Sequence, residues 1–161
     1  MTTRETCAYL VSGSRSASWP DAKTECEKMG GKLASPRSLE EEKAIEDLNL
    51  GQTWFGLTDV QNEGTWRDVN GHVSPYIGTW GAGQPDNYNN GENCAHMYPS
   101  NGNFFWNDHR CSTKYNFTCG KKHMLNDGHA STNRPTFMWA LPVYQFYLSA
   151  TYHTIVITFR S

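Results

Sequence analysis

Gln84-Pro85-Asp86, Glu92-Asn93-Cys94 and Trp106-Asn107-Asp108 are the three short stretches whose reading decides the fold. Together they carry five side chains that end in hard oxygen donors: Gln84, Asp86, Glu92, Asn107 and Asp108. No thiol or imidazole shares their spacing. Such a set suits Ca2+, which takes about 6–8 oxygen ligands at about 2.3–2.6 Å, and does not suit Zn2+, which prefers nitrogen and sulfur. Disulfide-capable cysteines stand close behind two of the clusters, at Cys94 and Cys111, where they can hold distant loops together. The reading is a calcium site assembled from loops and pinned by a cystine.

Working outward, Trp54-Phe55-Gly56-Leu57 precedes these clusters, Trp80 stands just before Gly83-Gln84-Pro85-Asp86, and Cys111 and Cys119 follow. In that order the motifs resemble the C-type lectin-like domain, and the resemblance covers about residues 7–122. It implies an α+β fold of two helices with short antiparallel sheets and a long Ca2+-binding loop region. It also implies a cis Pro85 and a principal Ca2+ held by Gln84, Asp86, Glu92, Asn107 and Asp108, with the Asp108 backbone carbonyl as a further donor. Two neighbouring sugar hydroxyls would replace water on that ion. Each hydroxyl would donate to a carboxylate and accept from an amide, so acids and amides alternate around the metal.

Several finer expectations follow from the same resemblance. Gln-Pro-Asp accompanies galactose or N-acetylgalactosamine in related lectins, where Glu-Pro-Asn accompanies mannose-type sugars. Tyr88 stands where galactose-binding relatives carry an aromatic ring, usually Trp, so sugar contact is assigned to Gln84, Asp86, Tyr88, Glu92 and Asn107. An auxiliary Ca2+ would use Asp59, Glu63 and Asn87 and share Glu92, although Asn87 and Asn93 replace common carboxylates and lower the charge. The implied disulfides are Cys26–Cys119 and Cys94–Cys111, which leaves Cys7 unpaired and available for a homodimer. Asn116-Phe117-Thr118 is a glycosylation sequon.

Bulk properties agree with such a domain. The chain has 161 residues, enough for one core, and a formal net charge of −2, with no basic footprint for nucleic acid. Aromatic residues at 13% against 19% charged fit a loop-rich domain that buries Trp and Tyr. Five cysteines point to an oxidising, extracellular setting. Met1-Thr2-Thr3-Arg4-Glu5 is not followed by an apolar run suited to secretion, so the expectation is a mature segment begun with an added methionine.

Two helices are expected. Ser18 caps the first, with Pro20 in its opening turn, Asp21 as its acidic partner, and Ala22, Cys26 and Met29 on one face before Gly30-Gly31. Ser38 and Glu41 form a capping box for the second, Ile45 and Leu48 recur on its buried side, and Glu40–Glu42 read as a solvated helix start. Strands are expected near 53–58, 64–67, 94–98, 104–106 and 115–121. Residues 68–103 have loop composition, and a loop that long is usually functional or disordered; the ligands inside it favour function.

Beyond residue 122 the resemblance stops. Residues 121–135 read as a linker, and 136–159 contain no Asp, Glu, Lys or Arg. Segments 143–148 and 152–159 are β-prone and could pair as a hairpin, and the whole tail reads equally well as a non-native extension. Its length permits a membrane span, but Pro142, Gln145 and His153 argue against one. His72, His96 and His109 fall in loop-like territory without paired zinc spacing. No nucleophile elbow, Cys–His dyad or phosphate loop is present, so no enzymatic activity is expected. Two functions remain: a secreted Ca2+-dependent lectin for galactose-type glycans, or a lectin-like domain that binds protein or ice around a structural Ca2+.

Overall fold

The computed structural model describes residues 5–12, 15–48, 50–124, 145–149 and 152–157, and residues 5–12, 122–124, 145–149 and 152–157 by their backbone alone. In chain order the elements are β1 (Glu5–Ser12), α1 (Trp19–Lys28), β2 (Lys32–Leu33), α2 (Leu39–Glu46), β3 (Thr53–Thr58), β4 (Arg67–Asp68), β5 (Cys94–Ser100), β6 (Asn103–His109), β7 (Asn116–Met124), β8 (Gln145–Ser149) and β9 (Tyr152–Ile157). The strands run in the order β6-β5-β3-β7-β1-β9-β8, with β2 on β7 and β4 on β3. Pairing is antiparallel except between β3 and β7, which makes the sheet mixed.

Both helix starts follow from their caps. Ser18 Oγ accepts from the Asp21 backbone N–H at 3.3 Å and donates to Asp21 Oδ2 at 2.6 Å. Ser38 Oγ accepts from Glu41 N–H at 3.3 Å, and the returning Glu41 carboxylate accepts from Arg37 N–H at 2.9 Å, one residue ahead of the cap. Such caps satisfy donors that have no partner within the helix.

Glu42 corrects the expectation of a solvated helix start. It is buried, and its carboxylate accepts from the Tyr76 hydroxyl and from Thr79 N–H at 3.3 Å. Burial of this polar group is tolerated because hydrogen bonds replace lost water. Burial, and then the bond to Glu42 and its charge, push the Tyr76 phenol above its usual range. An α2 side chain therefore holds the start of the long loop.

β3 is buried along Thr53–Leu57 because apolar clusters lie on both sides of it. Phe55 and Leu57 pack with Ile45, Trp66, Met97 and Trp106. Trp54 packs with Trp19, Cys26, Phe117 and Cys119. The disulfides join Cys26 to Cys119 and Cys94 to Cys111, with Cα separations of 5.3 and 5.2 Å.

The C-terminal segments form the expected hairpin, β8 against β9, and β9 pairs with β1. β7 runs on to Met124, so the start of the expected linker is strand. The remainder of that linker lies outside the described residues. β1 is flanked on both sides, with Cys7 opposite Lys122 and Ile157 by Cα register; the Cys7 side chain lies outside the described residues. The sequon falls in β7, where Thr118 is fully buried and Asn116 Nδ2 donates to the Leu50 carbonyl at 2.5 Å. Asn116 itself is half-buried.

The two cross-links enclose very different lengths of chain, 93 and 17 residues. Chain-entropy scaling makes replacement of Cys26 and Cys119 by Ala cost about 4.6 kcal/mol and replacement of Cys94 and Cys111 about 3.1 kcal/mol. Urea unfolding of the two double variants checks the ranking, and the reverse order would show that native-state strain dominates.

Candidate calcium-binding site

Three strand ends converge at one edge of the sheet. β5 is antiparallel to both β3 and β6, so the start of β5 lies beside the ends of the other two. That geometry brings together Asp59 after β3, Glu92 before β5, and Asn107 and Asp108 on β6. Asp59 N–H donates to the Asn93 carbonyl at 3.2 Å, and Thr58 Oγ donates to the same oxygen at 2.6 Å.

Asn101-Gly102 explains how β6 is aligned. Both residues have positive φ, 51° and 78°, in a two-residue turn that pairs Ser100 with Asn103 and therefore His96 with Asn107. Asn107 and Asp108 thus sit on a strand, where a site built wholly from loops was expected. The Asn-Gly pair was the sequence signal for this hairpin.

The long loop is fixed against the same strand. Trp106 N–H donates to the Thr79 carbonyl at 2.8 Å, and Gly81 N–H donates to the Trp106 carbonyl at 2.9 Å. Gly78 permits the close approach, since an added Cβ would lie 2.3 Å from the Trp106 ring. Beyond this clamp the Gln84–Pro85 peptide is cis. Asp86 N–H and Asn87 N–H then donate to Asp108 Oδ1 and Oδ2 at 3.1 and 2.7 Å. Asn87, Asn89 and Asn90 all have positive φ, a backbone state that Asn tolerates better than most residues. Tyr88, between them, is 62% exposed.

Among the described residues, Asp86, Glu92 and Asp108 form a group whose ligand atoms lie within 4.8 Å of one another. Gln84 Oε1 accepts from Asp86 N–H at 3.1 Å, and Asn107 reaches the Asp108 carbonyl with its amide nitrogen. A second acidic set adjoins the first through Asn87. Its Nδ2 donates to Glu63, its Oδ1 accepts from Glu92 N–H at 3.1 Å, and its backbone N–H serves Asp108. Asp59 is buried; Gly64 N–H satisfies its Oδ2 at 2.8 Å, and Oδ1 has no hydrogen-bond partner.

A buried carboxylate oxygen without a donor, among all-oxygen side chains, fits a hard cation. Gln84, Asp86, Glu92, Asn107 and Asp108 would hold the principal ion, and Asp59, Glu63 and Asn87 would be the side chains for an auxiliary one. Electrostatics agrees. Burial pushes the Asp59 and Glu63 carboxyls up, with the Asp108 charge adding to both. Burial also pushes Glu92 up; His109 opposes this, and Asp108 and Asp86 reinforce it.

His96 and His109 belong to strands, not loops. His96 is 3% exposed, and burial pushes its imidazole down to about 4. His109 Nε2 lies 4.0 Å from Glu92 Oε1, while Nδ1 meets Thr113 Oγ at 3.0 Å. His72 is exposed, as a surface role requires.

Residues 15–121 match the family model described as Lectin C-type domain. The chain belongs to the C-type lectin family. It is 38% identical over 101 residues to a perlucin-like protein of Mytilus galloprovincialis, covering 59% of this chain and 64% of that protein. It is 37% identical over 111 residues to C-type lectin domain family 4 member F of Mus musculus, covering 64% of this chain and 19% of the other. The match thus spans less than two thirds of either relative. Among solved structures, the mouse scavenger receptor C-type lectin carbohydrate-recognition domain has TM-score 0.64 and 33% identity, covering 76% of this chain and 93% of that one. The C-type lectin domain of murine dendritic cell inhibitory receptor 2, solved in complex with N-glycan, has TM-score 0.65 and 26% identity, covering 73% and 92%. A herring type II antifreeze protein has TM-score 0.61 and 31% identity, covering 75% and 93%. These neighbours share the fold of two helices and a mixed sheet. C-type lectin domains generally bind Ca2+, and members are generally non-enzymatic carbohydrate-binding proteins. No helix among the described residues is long and apolar enough to cross a membrane.

The raised carboxyls set a pH dependence. Protons are held more tightly by Asp59, Glu63 and Glu92 in the fold than by free side chains, so without metal their stabilising contribution is present in acid and lost as pH rises through their folded values. A cation must displace those protons. Calcium affinity should therefore fall as pH is lowered from 7.5 through the carboxyl range to 4, as read by titration calorimetry; equal affinity across that whole range would remove these carboxylates from the site.

Proposed function

We propose that this domain binds galactose-type glycans in a Ca2+-dependent manner outside the cell. The observation that carries the reading is the convergence of Asp86, Glu92 and Asp108, with Gln84 and Asn107 beside them in sequence. Bound there, Ca2+ would supply a hard Lewis-acid centre for two neighbouring sugar hydroxyls. The protein's part is to alternate acceptors and donors around those hydroxyls. Asp86 and Glu92 accept, while the Gln84 and Asn107 amides donate.

The order of amide and acid in Gln84-Pro85-Asp86 supports galactose or N-acetylgalactosamine over mannose-type sugars. The exposed Tyr88 ring supports it further, since it offers a face for the apolar C–H patch of galactose. Two disulfides support an extracellular setting. Residues 7–122 are read as the carbohydrate-recognition domain. A shallow, one-edge contact gives weak intrinsic affinity, so use in multivalent form is expected, with Cys7 as the candidate link for a homodimer.

The fold shared with an antifreeze protein supports a second reading, in which the cation is structural and the ligand is protein or ice. A glycan array probed with and without chelator separates the two. The first reading expects galactose-type signal that chelator abolishes; no glycan signal alongside a calcium-dependent melting temperature would favour the second.

Selectivity has its own test. Gln84→Glu combined with Asp86→Asn exchanges acid and amide while keeping the charge. It should shift preference toward mannose-type sugars on the same array. Retained galactose preference would assign selectivity to Tyr88 or a neighbouring loop.

A further inference from the structure

We propose that this domain carries a second ligand site, separate from the calcium ligands, that takes a small organic carboxylate: an apolar body with one anionic end. The site is a groove of about 690 Å3 between the chain that joins α1 to α2 and the loop that follows β4, with Gly120 and Lys121 of β7 at its α1 end. Small-molecule sites commonly occupy about 300–1,000 Å3. No residue lining the groove belongs to either candidate calcium set, so the inference does not rest on the calcium reading.

Glycines set its walls. Gly31 lies against β7, where an added Cβ would stand 3.0 Å from the Gly120 carbonyl oxygen. Gly30 has φ +72°, and Lys121 Nζ comes within 3.6 Å of the place its Cβ would take. On the opposite side, Val69 Cγ1 lies 2.8 Å from where a Cβ on Gly56 would stand, so a bare β3 backbone lets the loop wall approach.

The loop wall is apolar and the rim is cationic. Val69, Val73 and Pro75 line the groove, and Val73 is 55% exposed. Lys32 and Lys121 come from the α1 end and Arg37 from the α2 end. All three are exposed, and none forms an ion pair among the described residues. Lys32 Nζ donates to the neutral amide oxygen of Asn70, which leaves its charge uncompensated. The two acids in the groove are turned to backbone. Asp68 accepts from Asn70 N–H and His72 N–H at 2.8 and 3.0 Å, and Glu41 accepts from Arg37 N–H at 2.9 Å. Three cations against two acids leave a positive excess here, in a chain whose net charge is −2. A carboxylate can take charge-assisted hydrogen bonds from ammonium and guanidinium groups, while an apolar body covers the valines. The same two acids would repel an extended polyanion, which favours a ligand with a single charge.

Titration calorimetry of the full chain in chelator tests this with octanoate, octanol and octylammonium, which share a body and differ in charge. Octanoate should bind best, octanol about 10-fold more weakly, and octylammonium more weakly still. Arg37→Gln and Lys121→Gln should each weaken octanoate about 10-fold, with melting temperatures near the parent's because both side chains are exposed. Arg37→Glu combined with Lys121→Glu should reverse the order, so that octylammonium binds better than octanoate; a folding defect cannot produce that reversal. Equal affinity for octanoate and octanol on the parent chain would overturn the proposal, as would no octanoate binding at all. Octanoate affinity unchanged by both Gln substitutions would overturn it too, by placing the ligand elsewhere. Binding that appears only when calcium is added would put the carboxylate on the ion and overturn it as well. Because chelator is present throughout, failure of the calcium reading leaves these expected results unchanged, and the two failures stay distinct.

Discussion

Trp106 is the residue on which the arrangement of the site depends. Its backbone N–H and carbonyl are both committed to the long loop, at Thr79 and Gly81, and its fully buried ring packs against Phe55, Tyr76 and Trp80. One residue therefore belongs to the core, to β6 and to the loop at once. The next two residues in the chain are Asn107 and Asp108. Core packing thereby sets the position of two candidate ligands, and clamping the loop to the same point sets that of Gln84 and Asp86. A loop without regular structure is held by a few strong local contacts in place of a ladder.

Asp108 and Glu42 show how charge substitutes for regular structure here. Each is a buried carboxylate that accepts from loop groups: Asp108 from Asp86 and Asn87, Glu42 from Tyr76 and Thr79. The loop is tied at its start to α2 and at its ligand motif to β6. Between the ties lie the cis Gln84–Pro85 peptide and the left-handed asparagines, which turn the chain sharply and leave Tyr88 outward. Asp59 is the opposite case, a buried carboxylate with one oxygen still without a hydrogen-bond donor.

Much of this was legible in the sequence because the signals are local. Ser18 and Ser38 announce helix starts through short capping bonds, and both caps form. The spaced Gln-Pro-Asp, Glu-Asn-Cys and Trp-Asn-Asp motifs identify the family, and the two disulfides follow the pairing that the resemblance implies. Chemistry of the donor set is likewise a property of residue type, so oxygen-rich side chains name a hard cation before any coordinates exist.

Tertiary structure decided what depends on partners distant in the chain. Composition made Glu42 a solvated acid, yet the loop that returns over α2 buries it. His96 was read as lying in loop-like territory, yet it belongs to β5, and the Asn101-Gly102 turn folds β6 across it and buries it. Burial and hydrogen-bond direction arise only when strands from separate parts of the chain come together. Residue type therefore fixed the chemistry available to this protein, while long-range packing decided which atoms were left to perform it.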